Sequence, residues 1–226
     1  MLDQAGQKAA AARRAAEEVR DGMVVGLGTG STAALLLARL GERVREGLRF
    51  SGVPTSEATA AQARALGIPL TDLEAHPDLD LDIDGADEVD PALDLVKGLG
   101  GALLREKIVA IAARRLVIVV DEGKIVRCLG ERAPVPVEVV PFGWRRTADA
   151  LRRLGAAPEL RMGSGGAFST DGGNRILDCR FAPGTDLARL AAAIKGVTGV
   201  VEHGLFVGMR PTVIVGRAAG GCDVRD

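Results

Sequence analysis

Five aliphatic residues in succession, LVIVV at 116–120, stop at Asp121. A strand with one wet face alternates polar and apolar side chains. An unbroken aliphatic run of this length predicts instead a strand covered on both faces, as in a parallel sheet. Parallel neighbours need crossover connections, usually helices. The chain supplies them. An alanine-rich stretch from Asp3 to about Val19 holds strong helix formers and an aspartate placed to cap them. Residues 23–27 predict a short strand, Gly28 to Thr32 a glycine and hydroxyl turn, and 33–40 an apolar helix. Strands at 50–53 and 68–70 flank a helix over 57–66. The alternating DLDID at 80–84 has a strand period and ends at Gly85. A strand at 93–96, a glycine loop and a helix over 102–114 lead into the aliphatic run.

The rhythm changes after Leu129. A strand at 135–140, a helix at 144–154, strands at 159–162 and 176–181 joined by the Asp171-Gly-Gly-Asn174 turn, a helix at 185–194 and a strand at 200–203 follow. This βαββαβ order resembles a ferredoxin-like unit. Strands at 205–207 and 212–215 then return to the first domain, and the glycine-rich tail from Ala218 is expected to fray. The expected fold is α/β: a mostly parallel Rossmann-like sheet with helices on both faces, formed by 1–129 with 204–226, plus an inserted ferredoxin-like α+β domain at 130–203.

Composition removes several function classes. A net charge of −1 gives nucleic acid no general attraction. No apolar run reaches the roughly 18 residues of a membrane span, and the amino terminus lacks a signal-peptide core, so a cytoplasmic location is expected. Cys128, Cys179 and Cys222 are odd in number and widely spaced, which predicts free thiols. His76 and His203 read as a loop and a strand residue. Chemistry therefore falls to carboxylates and to the five lysines, Lys8, Lys97, Lys107, Lys124 and Lys195.

In open α/β sheets, ligands gather beyond the carboxyl ends of strands. Thr29, Asp84, Lys97 and Lys124 each follow a predicted strand there, so one crevice is expected to collect them. The GLGTGST stretch at 26–32 is not a dinucleotide fingerprint or a P-loop, because Ser31 stands where each needs another residue. It suits a phosphate monoester at a helix N-terminus, with a plain tight turn as the alternative. DLDIDG at 80–85 imitates a calcium loop, but Pro91 occupies the position that needs glutamate. Asp84 and Asp87 form either an acidic turn or a proton-exchanging pair, since neighbouring carboxylates raise one another's proton affinity. Lys97 is a surface lysine or a donor to a developing oxyanion, and Glu106 a solvated helix charge or a base. Together these residues suit proton abstraction beside a sugar carbonyl.

Four motifs in this order, GLGTGSTA at 26–33, DGADEVD at 84–90, KGLGGALLREK at 97–107 and DEGK at 121–124, resemble the type A ribose-5-phosphate isomerases. The resemblance implies interconversion of D-ribose 5-phosphate and D-ribulose 5-phosphate through a cis-enediolate, in the non-oxidative pentose phosphate pathway, with no metal and no cofactor. It places the general base on Glu106, proton shuttling and ring opening on Asp84 and Asp87, and enediolate stabilisation on Lys97. Lys8, Thr29, Gly30, Ser31, Thr32, Gly85, Ala86, Gly98, Leu99, Gly100 and Lys124 would contact the sugar or its phosphate. Leu99 stands where the family usually has glycine, and Gly123 where it often has serine. A homodimer is implied, with no nucleic-acid or membrane partner. The rivals are a sugar-phosphate sensor, for which only one helix precedes the first strand and no helix-turn-helix fits, and an amino-sugar phosphate deaminase, which leaves the DGADEVD and KGLGGALLREK motifs without a role.

Overall fold

The computed structural model describes residues 1–226 and divides into two compact units. One comprises Met1–Ala86, Arg105–Ile125 and Met209–Asp226, the other Asp87–Leu104 and Val126–Gly208. The second unit thus takes in the Asp87–Leu104 excursion as well as the span around the expected insert. No helix is long and apolar enough to cross a membrane.

The first unit is built on a six-stranded sheet in the spatial order Cys222–Arg225, Thr212–Gly216, Leu116–Asp121, Leu81–Gly85, Val24–Leu27, Ser51–Pro54. All neighbours are parallel except the Cys222–Arg225 edge. The expected frayed tail is therefore an edge strand, because its backbone completes the ladder of Thr212–Gly216. The segment at 68–70 contributes only a bridge, Gly52 to Leu70.

Both sheet faces are covered, which is why Leu116–Asp121 is buried along its whole length. Val25, Leu27, Leu81, Ile83, Val117 and Val119 face a core completed by the helices Gln4–Ala16 and Ser31–Arg45. Asp3 caps the first of these, its Oδ1 accepting the Gly6 N–H. The buried face of that helix is all alanine, Ala11, Ala12, Ala15 and Ala16, so its backbone comes close to the sheet. A Cβ added at Gly216 would lie 1.9 Å from the Gln7 carbonyl oxygen. On the opposite face Val24, Val53 and Leu79 pack with Val109 of the helix Leu103–Ala112.

In the second unit, Val135–Val139, Ala157–Leu160, Arg175–Arg180 and Val200–His203 form an antiparallel sheet, ordered fourth, first, third, second along the chain. With the helices Trp144–Arg153 and Leu187–Lys195 this is the expected βαββαβ unit. The alternation of Val135, Val137 and Val139 buries one face against Ala148, Leu151, Leu187 and Ile194. Opposite, the buried Glu138 carboxylate accepts from Thr170 Oγ1 and Asn174 Nδ2, both at 2.9 Å, and ties down the 171–174 turn.

A separate three-stranded antiparallel sheet of Leu205–Phe206, Leu95–Val96 and Glu88–Val89 overturns two expectations. The strand before Lys97 is not part of the parallel sheet, and residues 205–207 belong to the second unit and do not return to the first. The first of these strands begins at Leu95 because Leu93 is held at φ 63° in a turn, where Asp90 Oδ1 accepts the N–H groups of Ala92 and Asp94.

Candidate active site

Along the chain, the first unit's strands run 2-1-3-4-5-6 across the sheet, so connections leave in opposite directions from Val24–Leu27 and Leu81–Gly85. Ligand crevices of doubly wound sheets form at such a switch point, at the carboxyl ends of the strands. Gly28, Thr29 and Asp84 stand there. A Cβ at Gly28 would lie 2.1 Å from Asp84 Oδ1 and 2.5 Å from Asp84 Cα. Only glycine lets the two strand ends approach this closely. Asp84 is fully buried, and its Oδ1 accepts the N–H groups of Thr29 at 3.0 Å and Gly85 at 2.7 Å.

Thr29 is tied down twice. Besides its N–H on Asp84, its Oγ1 lies 2.7 Å from Thr55 Oγ1, 2.9 Å from Ser56 Oγ and 3.1 Å from Thr59 Oγ1. The cluster is anchored to the backbone: Thr55 Oγ1 donates to the Leu27 carbonyl and Thr59 Oγ1 to that of Gly28, each at 3.0 Å. Ser56 caps the helix Glu57–Ala65, its Oγ accepting the Thr59 N–H. Sequence reasoning missed Thr55, Ser56 and Thr59. Their signal was a hydroxyl-rich cap directly after the strand Ser51–Pro54, at the same edge of the sheet as Thr29.

Gly30, at φ 112°, precedes the helix Ser31–Arg45 and gives it no side-chain cap. The first N–H groups of a helix and its dipole favour an anion. Thr32 is buried in this first turn, while Ser31 is exposed and its Oγ accepts from Lys8 Nζ at 3.1 Å. Lys124 ends the short turn Glu122–Lys124 after the fourth parallel strand. That turn is held by Asp121, whose Oδ1 accepts the Gly123 N–H, and by Gln7 Oε1, which accepts the Glu122 N–H. Lys8, Ser31 and Lys124 thus stand on elements that dock on one another.

Glu106 lies in the first turn of the helix Leu103–Ala112 and is 4% exposed, which removes the solvated-charge reading. Its neighbour Lys107 is buried too, and Arg105 turns outward to pair with Glu57 at 2.9 Å. Asp82, one full strand period before Asp84, is also fully buried. Its carboxylate and Val109 Cγ1 both occupy the space that a Cβ at Gly26 would need. The strand period of DLDID did not reveal that depth, and Lys107, though counted among the lysines, was given no role of its own.

The remaining assigned residues belong to the second unit. Asp87 Oδ2 accepts the Leu99 N–H at 2.9 Å, so this carboxylate is joined to the glycine turn twelve residues on. Lys97 is 3% exposed. Its N–H donates to the Gly204 carbonyl at 2.8 Å, and its Nζ sits 5.5 Å from the centre of the Phe206 ring, in cation–π range. Gly98 at φ 100° and Gly101 at φ 85° make the turn between them, closed by Gly101 N–H on the Gly98 carbonyl at 3.0 Å. Leu99 and Gly100 are exposed at its tip, Gly85 and Ala86 half-buried on the approach to Asp87. His203, buried, accepts the Leu205 N–H on Nδ1 and is a strand-end support, as its sequence position suggested.

Comparison with known proteins agrees with these features. The sequence model of the family described as Ribose 5-phosphate isomerase A (phosphoriboisomerase A) matches residues 51–220. Ribose-5-phosphate isomerase A of Gloeobacter violaceus is 61% identical over 94% of this chain and 93% of its own. The protein of the same name from Gluconobacter oxydans is 55% identical over 94% of each. A solved D-ribose-5-phosphate isomerase in complex with phospho-erythronic acid superposes with a TM-score of 0.96 at 38% identity, covering 100% of both chains. Ribose 5-phosphate isomerase from Plasmodium falciparum gives 0.94 at 39% identity, covering 98% of each. From the motifs, the switch-point geometry and these likenesses together, the chain belongs to the ribose 5-phosphate isomerase A family.

Proposed function

We propose that this enzyme interconverts D-ribose 5-phosphate and D-ribulose 5-phosphate through an enediolate, as a step of the non-oxidative pentose phosphate pathway. Family membership supports the reaction, and the observation that carries its chemistry is Glu106, a carboxylate 4% exposed in the first turn of a helix beside the switch-point strands. A base shielded from water suits abstraction of a weakly acidic carbon-bound proton.

In the forward direction the Glu106 carboxylate removes the proton on C2 of the open-chain aldose. The C2–H electrons form the C1–C2 double bond, and the aldehyde π electrons move onto O1. Transfer of the O2 proton to O1 and return of the carried proton to C1 give the ketose, with no net gain or loss of electrons. Asp84 and Asp87 assist ring opening and move the oxygen-bound protons. Lys97 offers an ammonium to the enediolate oxygen. The Ser31–Thr32 helix terminus with Lys8 and Lys124 takes the phosphate, and Thr29 holds Asp84 in place. Gly85, Ala86, Gly98, Leu99 and Gly100 line the sugar. From the same likeness we infer a cytoplasmic homodimer, to be checked by light scattering on the purified protein.

The test is conversion of ribose 5-phosphate in EDTA by wild type and Glu106→Gln. Loss of a positioned base is expected to lower kcat by about 10² or more. A wild type that binds ribose 5-phosphate without converting it would favour a sensor, and a fully active Glu106→Gln would remove Glu106 from the base role.

A further inference from the structure

The Gly98–Gly101 turn is held by its backbone, and a side chain far along the chain does the holding. Arg161, directly after the strand Ala157–Leu160, is 12% exposed at its side chain. Its Nη1 donates to the carbonyl oxygens of Gly98 and Leu99, each at 3.0 Å. Its other edge forms a fork on Asp178, with Nε to Oδ2 at 2.9 Å and Nη2 to Oδ1 at 2.5 Å. The guanidinium carbon lies 5.8 Å from the centre of the Phe168 ring, and that ring fills the space beside Gly101, 2.4 Å from where a Cβ would stand. Arg175 donates to the carbonyls of Ala167 and Phe168 and fixes the ring's backbone.

The effect on the turn follows from peptide geometry. A trans peptide points its carbonyl and its N–H in opposite directions. The Gly98–Leu99 peptide has its carbonyl on Arg161 and its N–H on Asp87 Oδ2. Pinning the carbonyl therefore aims the N–H at the carboxylate. In the next peptide the Leu99 carbonyl is held by the same nitrogen, which turns the Gly100 N–H away from Arg161.

We propose that Arg161, oriented by Asp178, is a positioning residue for the isomerisation: through the Leu99 peptide it sets the direction of the Asp87 carboxylate. The role rests on the reading of Asp87 as a group acting on the sugar oxygens. Lysine does not substitute, because one ammonium lacks the planar fork that serves Asp178 and both carbonyls at once. A plain structural tie would affect stability alone.

The test compares Arg161→Lys, Arg161→Ala and Asp178→Asn with wild type in steady-state isomerisation, thermal melting and exchange of the Leu99 amide followed by NMR. The expected result is a kcat lower by about tenfold or more in both Arg161 variants with KM nearly unchanged, a smaller fall for Asp178→Asn, and faster Leu99 exchange at unchanged global protection. If Arg161→Ala does not fold, the other two variants carry the test on the same criteria. Folded variants with kcat within about twofold of wild type, or with a pure KM rise, overturn the proposal. Inactive wild type, or Glu106→Gln with full activity, would fault the reading of the site instead, and Leu99 exchange would still report whether Arg161 holds the turn.

Discussion

Replacing Gly28 by alanine adds one methyl group where two strands of the sheet converge. The φ of Gly28 lies outside the left-handed region, so the cost is one of space. The new Cβ would lie 2.1 Å from Asp84 Oδ1, 2.3 Å from its Cγ and 2.5 Å from its Cα, and the last is backbone in a fully paired central strand. Overpacking of this kind costs about 1–3 kcal/mol. Breaking the Thr29 N–H bond to Asp84 adds up to about 1.5–3 kcal/mol for a hydrogen bond to a charged group. A combined loss of about 2.5–6 kcal/mol corresponds to a melting temperature lower by roughly 5–24 °C for a chain of this size. Activity is expected to suffer more than stability, because a displacement near 1 Å at a catalytic group costs on the order of 10²-fold. Circular dichroism melts and isomerase kinetics well below the transition separate the two effects. Gly165→Ala, where a Cβ meets nothing within 4 Å and φ is ordinary, is the control. Wild-type melting and kcat in Gly28→Ala would refute the argument that Asp84 is set by the close approach of these strands.

Lys97→Ala is expected to lower kcat more than it raises KM if the ammonium acts on the enediolate, and a pure KM effect in the same kinetics would make it a binding residue. Burial pushes the Cys179 thiol up to about 12, so at pH 8 an alkylating reagent is expected to modify exposed Cys128 and to reach Cys179 only after unfolding, as read by peptide mass mapping. Glu18 is held below its ordinary value of 4.5 by its hydrogen bond to the Arg14 guanidinium and, more weakly, by Arg115. Its depressed folded-state value makes it stabilising above the unfolded value, and that contribution disappears as pH falls through the folded one. The stability gap between wild type and Glu18→Gln, up to about 1 kcal/mol in denaturant melts at neutral pH, should therefore close in acid.

Much of this architecture is written in short-range patterns. The unbroken aliphatic run at 116–120 and the GLGTGST turn announce a covered parallel sheet with an anion-friendly helix terminus, and both stand where they were expected. The two-residue strands Glu88–Val89, Leu95–Val96 and Leu205–Phe206 carry no period of their own, so their antiparallel partnership was not legible. Cys222–Arg225 follows a glycine-rich link and has only one apolar residue besides its cysteine, and its strand state comes from a neighbour's unpaired edge. Propensity cannot report such long-range pairing. The same limit hid Arg161: nothing local distinguishes it from the other surface-bound arginines, and its partners Gly98 and Leu99 lie more than sixty residues earlier in the chain. Asp82 and Lys107 read as ordinary charges until the helix Leu103–Ala112 is laid over the sheet.

The Cys222–Arg225 strand also bears on how the protein tolerates handling. Thr212–Gly216 contributes Val213, Ile214 and Val215, all essentially inaccessible, to the sheet. Its outer ladder is occupied by a short strand bearing Asp223 and Arg225, a charged hem of the kind that discourages edge-to-edge association. Trimming these few residues would turn an aliphatic interior strand into an open margin with donors and acceptors ready for another chain. Truncations and fusions that spare Cys222–Arg225 therefore leave the hem stitched.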